Sequence, residues 1–357
     1  MEKTVTDHWQ EFRVSNDAAD DAGELRRRLA DEGYLFFRGL IDRTRLLSLR
    51  ADIMHVVAEH GWLEAGTDPM DGIADVSKRC TEGDMEYNPV YGDVQRLESF
   101  HSVPHAPELI DMVERILDTT TIPVPGHKAR IWFPRFTEHT TPMHQDFVHY
   151  QGSLETLTCW APVGDCPIEL GPLAVLEGSH KVKKVLPHHF SLGAGGLIVD
   201  LEDELPAHPE LGGQWRSTNF EAGDALFFPA LTVHQALPNV TDDRIRISLD
   251  NRYQREGDNI ADHMLRPHMY DRHLVGWEDI YRDWESDELK YYWQRHDFRE
   301  IKRNTIYVER GFAEAMDLAR AGDPHAVLAV RRFVAATPDA EQAPEARRIL
   351  AEVGAGA

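Results

Sequence analysis

The sequence has only three cysteines, Cys80, Cys159 and Cys166, an odd number that cannot build a disulfide framework and points to a reducing, cytoplasmic setting. It has no stretch near the roughly 18 uninterrupted apolar residues that a membrane span needs. The opening MEKTVTDHWQEF lacks a basic stretch followed by an apolar one, so no secretory leader is expected. Bases are also scarce, with 38 Lys and Arg against 61 Asp and Glu, a formal charge of −23 with the histidines neutral. A surface of that sign repels phosphate backbones and anionic lipid, so neither nucleic acid nor membrane is an expected partner. It leaves room for an acyl-CoA or a small phosphate in a local basic pocket. No fixed-period repeat, low-complexity tract or long linker breaks the chain, which argues against a solenoid.

What is present is a chain of 357 residues, 42% of them apolar, enough to bury a sizeable core in about two domains or one enlarged domain. AGELRRRLADEG (22–33) carries apolar residues at helical spacing and stops at a glycine. YLFFRGLI reads as a strand, TRLLSLRADIMHVVAEHG as a helix capped by Gly61, and PELIDMVERILD (107–118) as another helix. Residues 62–95 are rich in Asp, Gly and Pro and read as a long surface loop. From 127 to 254 the texture changes to short strands between turn residues: KARIWFPRF, TLTCWAPV, LAVLEGS, DALFFPALTVHQAL and RIRISLDNRYQ. Such spacing suits a sandwich, a jelly roll or a small barrel. Beyond 256 the chain reads as helical, with WEDIYRDW placing Trp277, Ile280, Tyr281 and Trp284 on one face. Asp323-Pro324 and Thr337-Pro338 read as helix starts.

Histidines number nineteen, so chance pairs are expected. His-x-(Asp/Glu) occurs twice, at His144-Gln145-Asp146 and His208-Pro209-Glu210, no more often than the composition yields by chance, so context must decide. The second lies in loop-like EDELPAHPELGG. The first follows Thr140, Thr141 and Pro142 and runs into Phe147, Val148 and Tyr150, which suits a strand start. On a strand, residues i and i+2 share a face, so an imidazole and a carboxylate could meet on one ion. His234 closes an aromatic strand downstream, and Arg244, Arg246 and Ser248 alternate with Ile245 and Ile247. Two histidines and a carboxylate make the facial triad of non-haem Fe(II) oxygenases, and an arginine fork suits the far carboxylate of a 2-oxoacid.

On HQD at 144–146, Trp160 in LTCWAPVGD, GPLAVLEGSHK at 171–181, GDALFFPALTVH at 223–234 and RIRISL, the segment 127–254 resembles the phytanoyl-CoA dioxygenase family of Fe(II)/2-oxoglutarate oxygenases. GYLFFRGLIDRTRLLSLRADI is similar to that family's opening, and HKARIWF to a strand of its ectoine-hydroxylase group. The resemblance covers about residues 22–254. It implies an α+β chain with a mainly β core, a double-stranded β-helix (jelly roll), and the residue pattern adds flanking N-terminal helices and a C-terminal helical extension. The domain expectation is 1–255 for the oxygenase and 256–357 for the extension. Carried over by position, the resemblance implies His144, Asp146 and His234 as iron ligands and Trp160 in the cosubstrate pocket. Counting back from Ile247-Ser248 selects Arg244 for the cosubstrate carboxylate; an Arg-x-Ser arrangement selects Arg246 with Ser248 instead. Arg244 is the preferred choice, and the loser is expected to pair with Asp242 or Asp243.

The implied reaction consumes O₂ and 2-oxoglutarate, releases succinate and carbon dioxide, and hydroxylates an unactivated C–H bond of a small molecule, in the making of a specialised metabolite. Related halogenases lack the carboxylate ligand, so Asp146 favours hydroxylation over halogenation. Desaturation, epoxidation or cyclisation on the same scaffold is the alternative outcome, and a non-catalytic, cupin-like metal-binding module is the competing class. Lys128 and Arg130 alternate with Ala129 and Ile131, so both could enter the barrel; Arg130 is the candidate substrate anchor, against the plainer reading of a structural ion pair. Plain readings also go to His188-His189 as a solvated loop, to His101 and His105 as surface residues and to Cys159 as packing. The aromatics of 277–293 are read as a helix face on the barrel. The sharper expectation for the helical tail is a cover over the active-site mouth or a homo-oligomer interface.

Overall fold

The computed structural model describes residues 9–135 and 137–354. Residues 1–8, read above for a leader, and Phe136, the end of KARIWFPRF, lie outside the described residues. In chain order the strands are β1 (Trp9–Gln10), β2 (Leu35–Phe37), β3 (Thr121–Pro123), β4 (Lys128–Trp132), β5 (His144–Gln145), β6 (Leu157–Pro162), β7 (Leu173–Leu176) and β8 (His189–Phe190). They continue with β9 (Leu197–Ile198), β10 (Trp215–Arg216), β11 (Ala225–Pro229), β12 (Val233–Ala236), β13 (Arg246–Arg255), β14 (Asn259–Ala261) and β15 (Arg299–Ile301). The larger sheet runs β2-β11-β6-β13-β3, with β4 also paired to β13, and the smaller runs β1-β10-β7-β12-β5. Together they make a double-stranded β-helix, and the polar cavity lies between their inner faces.

Alternation along the strands explains the layers. On β4, Ala129 and Ile131 join Leu35, Phe37, Cys159, Ala161, Phe227, Ile247 and Leu249 in an apolar layer. The N-terminal helices close that layer with Leu25, Leu46, Leu49, Ile53, Leu109 and Val113. The opposite parity holds Phe36, Trp160, Leu226 and Phe228, which pack toward Leu173 and Val175 of the smaller sheet. Cys159 is a buried free thiol in the outer layer, as the packing reading has it.

Helix Ala22–Glu32 starts where Asp21 accepts the Glu24 N–H, and it ends at Gly33 (φ 79°), whose N–H donates to Leu29 O. A Cβ at Gly33 would also lie 2.4 Å from His180 Nδ1. Helix Arg43–Glu59 is capped by Asp42, with Gly61 in the left-handed region just past its end. Pro107–Leu117 and, in the tail, Pro324–Ala336 capped by Asp323 also stand where the residues place them.

Several readings fail for identifiable reasons. Within 62–95, Tyr87–Arg96 is a helix burying Tyr87, Val90, Tyr91 and Val94; Pro89 sits in its first turn, where no N–H is needed. DALFFPALTVHQAL is two strands, because Ala230-Leu231-Thr232 turns the chain from the larger sheet into the smaller one. WEDIYRDW is helical only over Trp277–Ile280. Its aromatics pack on Ile122 of β3 through a set of turns. Thr337 ends a helix by donating its hydroxyl to Phe333 O, and the next helix begins at Ala343. That last helix, Ile306–Arg320 and Pro324–Ala336 share one apolar cluster, which Phe190 of β8 also touches.

Candidate metal centre and its cavity

Strands β5 and β12 pair so that His144 and His234 stand directly opposite each other, with ring centroids 4.3 Å apart. Asp146 arrives by a route the alternation argument does not contain. β5 ends at Gln145, and Asp146 is already in a helical conformation (φ −60°, ψ −29°), opening the turn Phe147–Tyr150. That bend carries its carboxylate across to the larger sheet, where Thr158 Oγ1 donates to Oδ2 at 2.5 Å. Arg252 Nη2 donates to both carboxylate oxygens, at 3.1 and 3.0 Å.

All three side chains are buried, and their donor atoms lie within 4.8 Å of one another. His144 Nδ1 donates to Pro142 O at 2.7 Å and His234 Nδ1 to Thr232 O at 2.9 Å. A carbonyl only accepts, so these bonds place the proton on Nδ1 and leave both Nε2 lone pairs free. The two Nε2 atoms lie 3.5 and 3.6 Å from Asp146 Oδ1. Burial pushes the His234 imidazole down to about 4, so it is neutral at pH 7. Burial alone would raise the Asp146 carboxyl; Arg252, His234 and His144 overcome it and hold the group well below the usual carboxylate range. A neutral His234 imidazole beside an ionised carboxylate, with His144 Nε2 aimed at the same carboxylate oxygen, suits a divalent metal, so the residues fit an Fe(II) site.

Outside the triad, Gln145 is fully buried and fixes β5. Its Nε2 donates to Lys184 O and Leu231 O, and its Oε1 accepts from Leu186 N. His188 accepts the Gln145 N–H at 3.1 Å, so it is a buried brace and not a solvated loop residue.

A narrow cavity of about 20 Å³ adjoins the triad, and its wall includes Arg130, Thr158, Trp160, Phe228, Arg246 and Arg252. Of the two candidate arginines, Arg246 lines this cavity and Arg244 does not. Arg246 is 1% exposed, with its guanidinium 4.3 Å from the Trp132 ring centroid and Nη1 donating to Gly171 O at 2.8 Å. Gly171 (φ 78°) must be glycine there, because a Cβ would lie 2.4 Å from Leu237 O. Arg246 Nε and the neighbouring Ser248 Oγ are buried without a partner among the described residues. Arg244 is exposed, just before the β13 ladder begins, and does not line the cavity. Asp242, expected to pair with the unused arginine, instead binds Arg135.

Trp160 lies in the cavity wall against Phe220. Arg130 reaches the cavity too, ion-paired to Glu82 and, through Nε at 3.1 Å, to Asp250. Both the anchor reading and the ion-pair reading therefore have a structural counterpart. His208 lies 3.8 Å from Glu204 and joins no metal-binding group among the described residues. His101 is buried, its Nε2 within 2.8 Å of Gln95 O, and His105 is half-buried and meets Tyr292 edge-on, so neither is fully exposed as read. Sequence reasoning passed over Arg252 and Thr158. Their one legible signal is strand parity with Arg246 and Trp160.

Residues 29–248 match the Phytanoyl-CoA dioxygenase (PhyH) family. The chain belongs to the phytanoyl-CoA dioxygenase family. As a member it is an Fe(II)- and 2-oxoglutarate-dependent oxygenase, and the buried His–Asp–His triad is consistent with that membership. The match places it in the family without placing it in the ectoine-hydroxylase group. It is similar to two proteins named 1-deoxypentalenic acid 11-beta-hydroxylase. The Streptomyces arenae protein is 24% identical over 272 residues, covering 74% of this chain and 92% of the relative. The Streptomyces exfoliatus protein is 23% identical with the same coverage. Among solved structures it is similar to the carbocyclase SnoK of nogalamycin biosynthesis, with TM-score 0.49, 21% identity and coverage of 72% and 91% of the two chains. The epimerase SnoN, in complex with Fe³⁺, alpha ketoglutarate and nogalamycin RO, aligns with TM-score 0.46, 18% identity and coverage of 67% and 85%. No helix among the described residues is long and apolar enough to cross a membrane.

Proposed function

We propose that the enzyme hydroxylates an unactivated C–H bond of a small molecule, with His144, Asp146 and His234 holding Fe(II) and Arg246 with Ser248 holding the far carboxylate of 2-oxoglutarate. One observation carries the reading: three buried donors lie within 4.8 Å of one another, and two of them, His144 and His234, line a cavity with a buried arginine that keeps an unpartnered nitrogen. When bound, the metal and 2-oxoglutarate activate O₂ for oxidation of the substrate, with release of succinate and carbon dioxide. The chain's own residues do the rest. Pro142 and Thr232 carbonyls hold the imidazoles in one tautomer, and Thr158 and Arg252 fix the Asp146 carboxylate. Trp132 and Trp160 flank the Arg246 guanidinium and keep water from it. Arg130 faces the substrate side of the cavity.

The carboxylate ligand supports hydroxylation over halogenation, and the relatives' name, an 11-beta-hydroxylase of 1-deoxypentalenic acid, supports a small specialised metabolite as substrate. The three free, buried thiols support a cytoplasmic setting. The separate apolar cluster of the last three helices supports a boundary between an oxygenase domain, 1–255, and an extension, 256–357. Anaerobic titration with Fe(II) and 2-oxoglutarate tests the cofactor reading. A weak visible charge-transfer band is expected, followed by succinate release on admission of O₂ and substrate. A folded protein that shows neither sends the reading to the metal-binding module.

A further inference from the structure

The antiparallel register sets Trp132, Arg130 and Lys128 of β4 opposite Arg246, Ser248 and Asp250 of β13. Arg246 therefore marks one end of the inner face, and Lys128 marks the other. Asp250 is the ladder partner of Lys128 but turns its carboxylate to Arg130 Nε, and Glu82 pairs with Arg130 as well. Asp146 is taken by Arg252 and Thr158. Lys128 is left over: the residue is 8% exposed, and its ammonium sits 4.5 Å from the Tyr150 ring centroid with no hydrogen-bond or carboxylate partner among the described residues. Arg252 lies on the same ring at 4.0 Å, and its Nε and Nη1 are also buried and unpartnered.

Two buried cations on one ring repel each other, and a buried ammonium without an anion is costly. Burial, then Arg130 and Arg252, push the Lys128 ammonium down to about 7. Among the described residues, Lys128, Arg130, Arg246 and Arg252 stand against three carboxylates in and beside the cavity, Glu82, Asp146 and Asp250. A divalent metal and a doubly charged 2-oxoacid cancel one another, so the cavity is short of one negative charge.

We propose that the substrate is a carboxylic acid whose carboxylate is held by Lys128 Nζ and the unpartnered guanidinium edge of Arg252. The inference rests on the oxygenase reading for its charge balance, and its test separates the two. Full-length protein is titrated anaerobically with decanoate, cyclohexanecarboxylate and adamantane-1-carboxylate, and with the primary amide of each. Calorimetry reads binding both with Fe(II) and 2-oxoglutarate present and with neither; the visible band reports the loaded state. At least one acid is expected to bind about tenfold or more tightly than its amide, the worth of one charge-assisted hydrogen bond. Lys128→Met and Lys128→Gln should each abolish that preference while the band stays as in the wild type and the thermal midpoint holds or rises, since the costly charge is gone. Wild-type protein that prefers no acid to its amide, or variants that keep the preference, overturn the proposal. Absence of the band in wild-type protein strikes only the cofactor reading, since the acid–amide comparison is also made without metal.

Discussion

The rings of His144 and His234, ninety positions apart in the chain, stand 4.3 Å apart because β5 and β12 pair with these two residues directly opposite. Their Nδ1 protons are held by backbone carbonyls two residues upstream in each case, so the Nε2 atoms converge without help from other side chains. Asp146 completes the set from the larger sheet's side.

Replacing Asp146 tests both its roles. Asp146→Ala is expected to lower Fe(II) affinity and succinate release by more than about a hundredfold, beyond the 10–100-fold typical of losing a group that merely supports a ligand. It also leaves Arg252 buried without its counter-ion, a loss of about 3–5 kcal/mol in stability. Iron titration and urea unfolding read the two effects separately. A variant with native iron affinity and full turnover removes Asp146 from the site.

The two arginines make an internal control. Arg246→Met is expected to raise the KM for 2-oxoglutarate by about 10–100-fold, since a buried charged hydrogen-bond donor is lost while side-chain volume is roughly kept. Arg244→Ala, at an exposed position, should leave it unchanged. The opposite pattern in 2-oxoglutarate kinetics restores the Arg244 assignment.

Thr158 orients the ligand carboxylate through Oδ2, leaving Oδ1 between the two imidazoles. Thr158→Val keeps the shape and removes the donor. Iron affinity should weaken by about tenfold or more with little change in thermal midpoint. An unchanged iron dissociation constant denies Thr158 that role.

The buried His101 and His127 and the half-buried His105 predict how stability responds to acid. Burial lowers His101 to about 4 and His105 to about 3, and holds His127 well below its ordinary value. Near pH 5 the unfolded chain therefore binds protons that the folded chain refuses. The stability these groups contribute is complete above pH 6.5 and falls as pH drops from there toward 4, by up to about 1.4 kcal/mol per pH unit for each histidine. Urea midpoints at pH 7.5, 6.0 and 5.0 should fall in that order. Since His105 packs against Tyr292, His105→Phe should reduce the slope; an unaltered slope removes His105 from the effect.

Local chemistry was legible wherever a cap or a period is self-contained. Asp21 with Gly33, and Asp323 with Pro324, mark helix ends because the hydrogen bonds they make lie within a few residues. The N-terminal amphipathic helices followed from helical spacing, and the strands β4, β6, β7 and β13 from short β-rich runs bounded by turn residues. The tail aromatics misled because helical spacing of Trp277, Ile280, Tyr281 and Trp284 is also met by a short helix followed by turns against β3. His101, His105 and His188 looked polar and therefore exposed; burial with backbone or aromatic partners is a tertiary fact.

The residues alone determined the metal donors as candidates, the need for an arginine fork and the mixed β core with helical flanks. They did so because donor type and strand parity are properties of the chain itself. Tertiary structure decided the rest. Parity puts Arg244, Arg246, Ser248, Asp250 and Arg252 on one notional face, but only the ladder's starting point shows that Arg246 is inside and Arg244 outside. Pairing over long sequence separations set His144 against His234, and a turn carried Asp146 out of its strand. The same pairings gave both nearby carboxylates to Arg130 and left Lys128 without one.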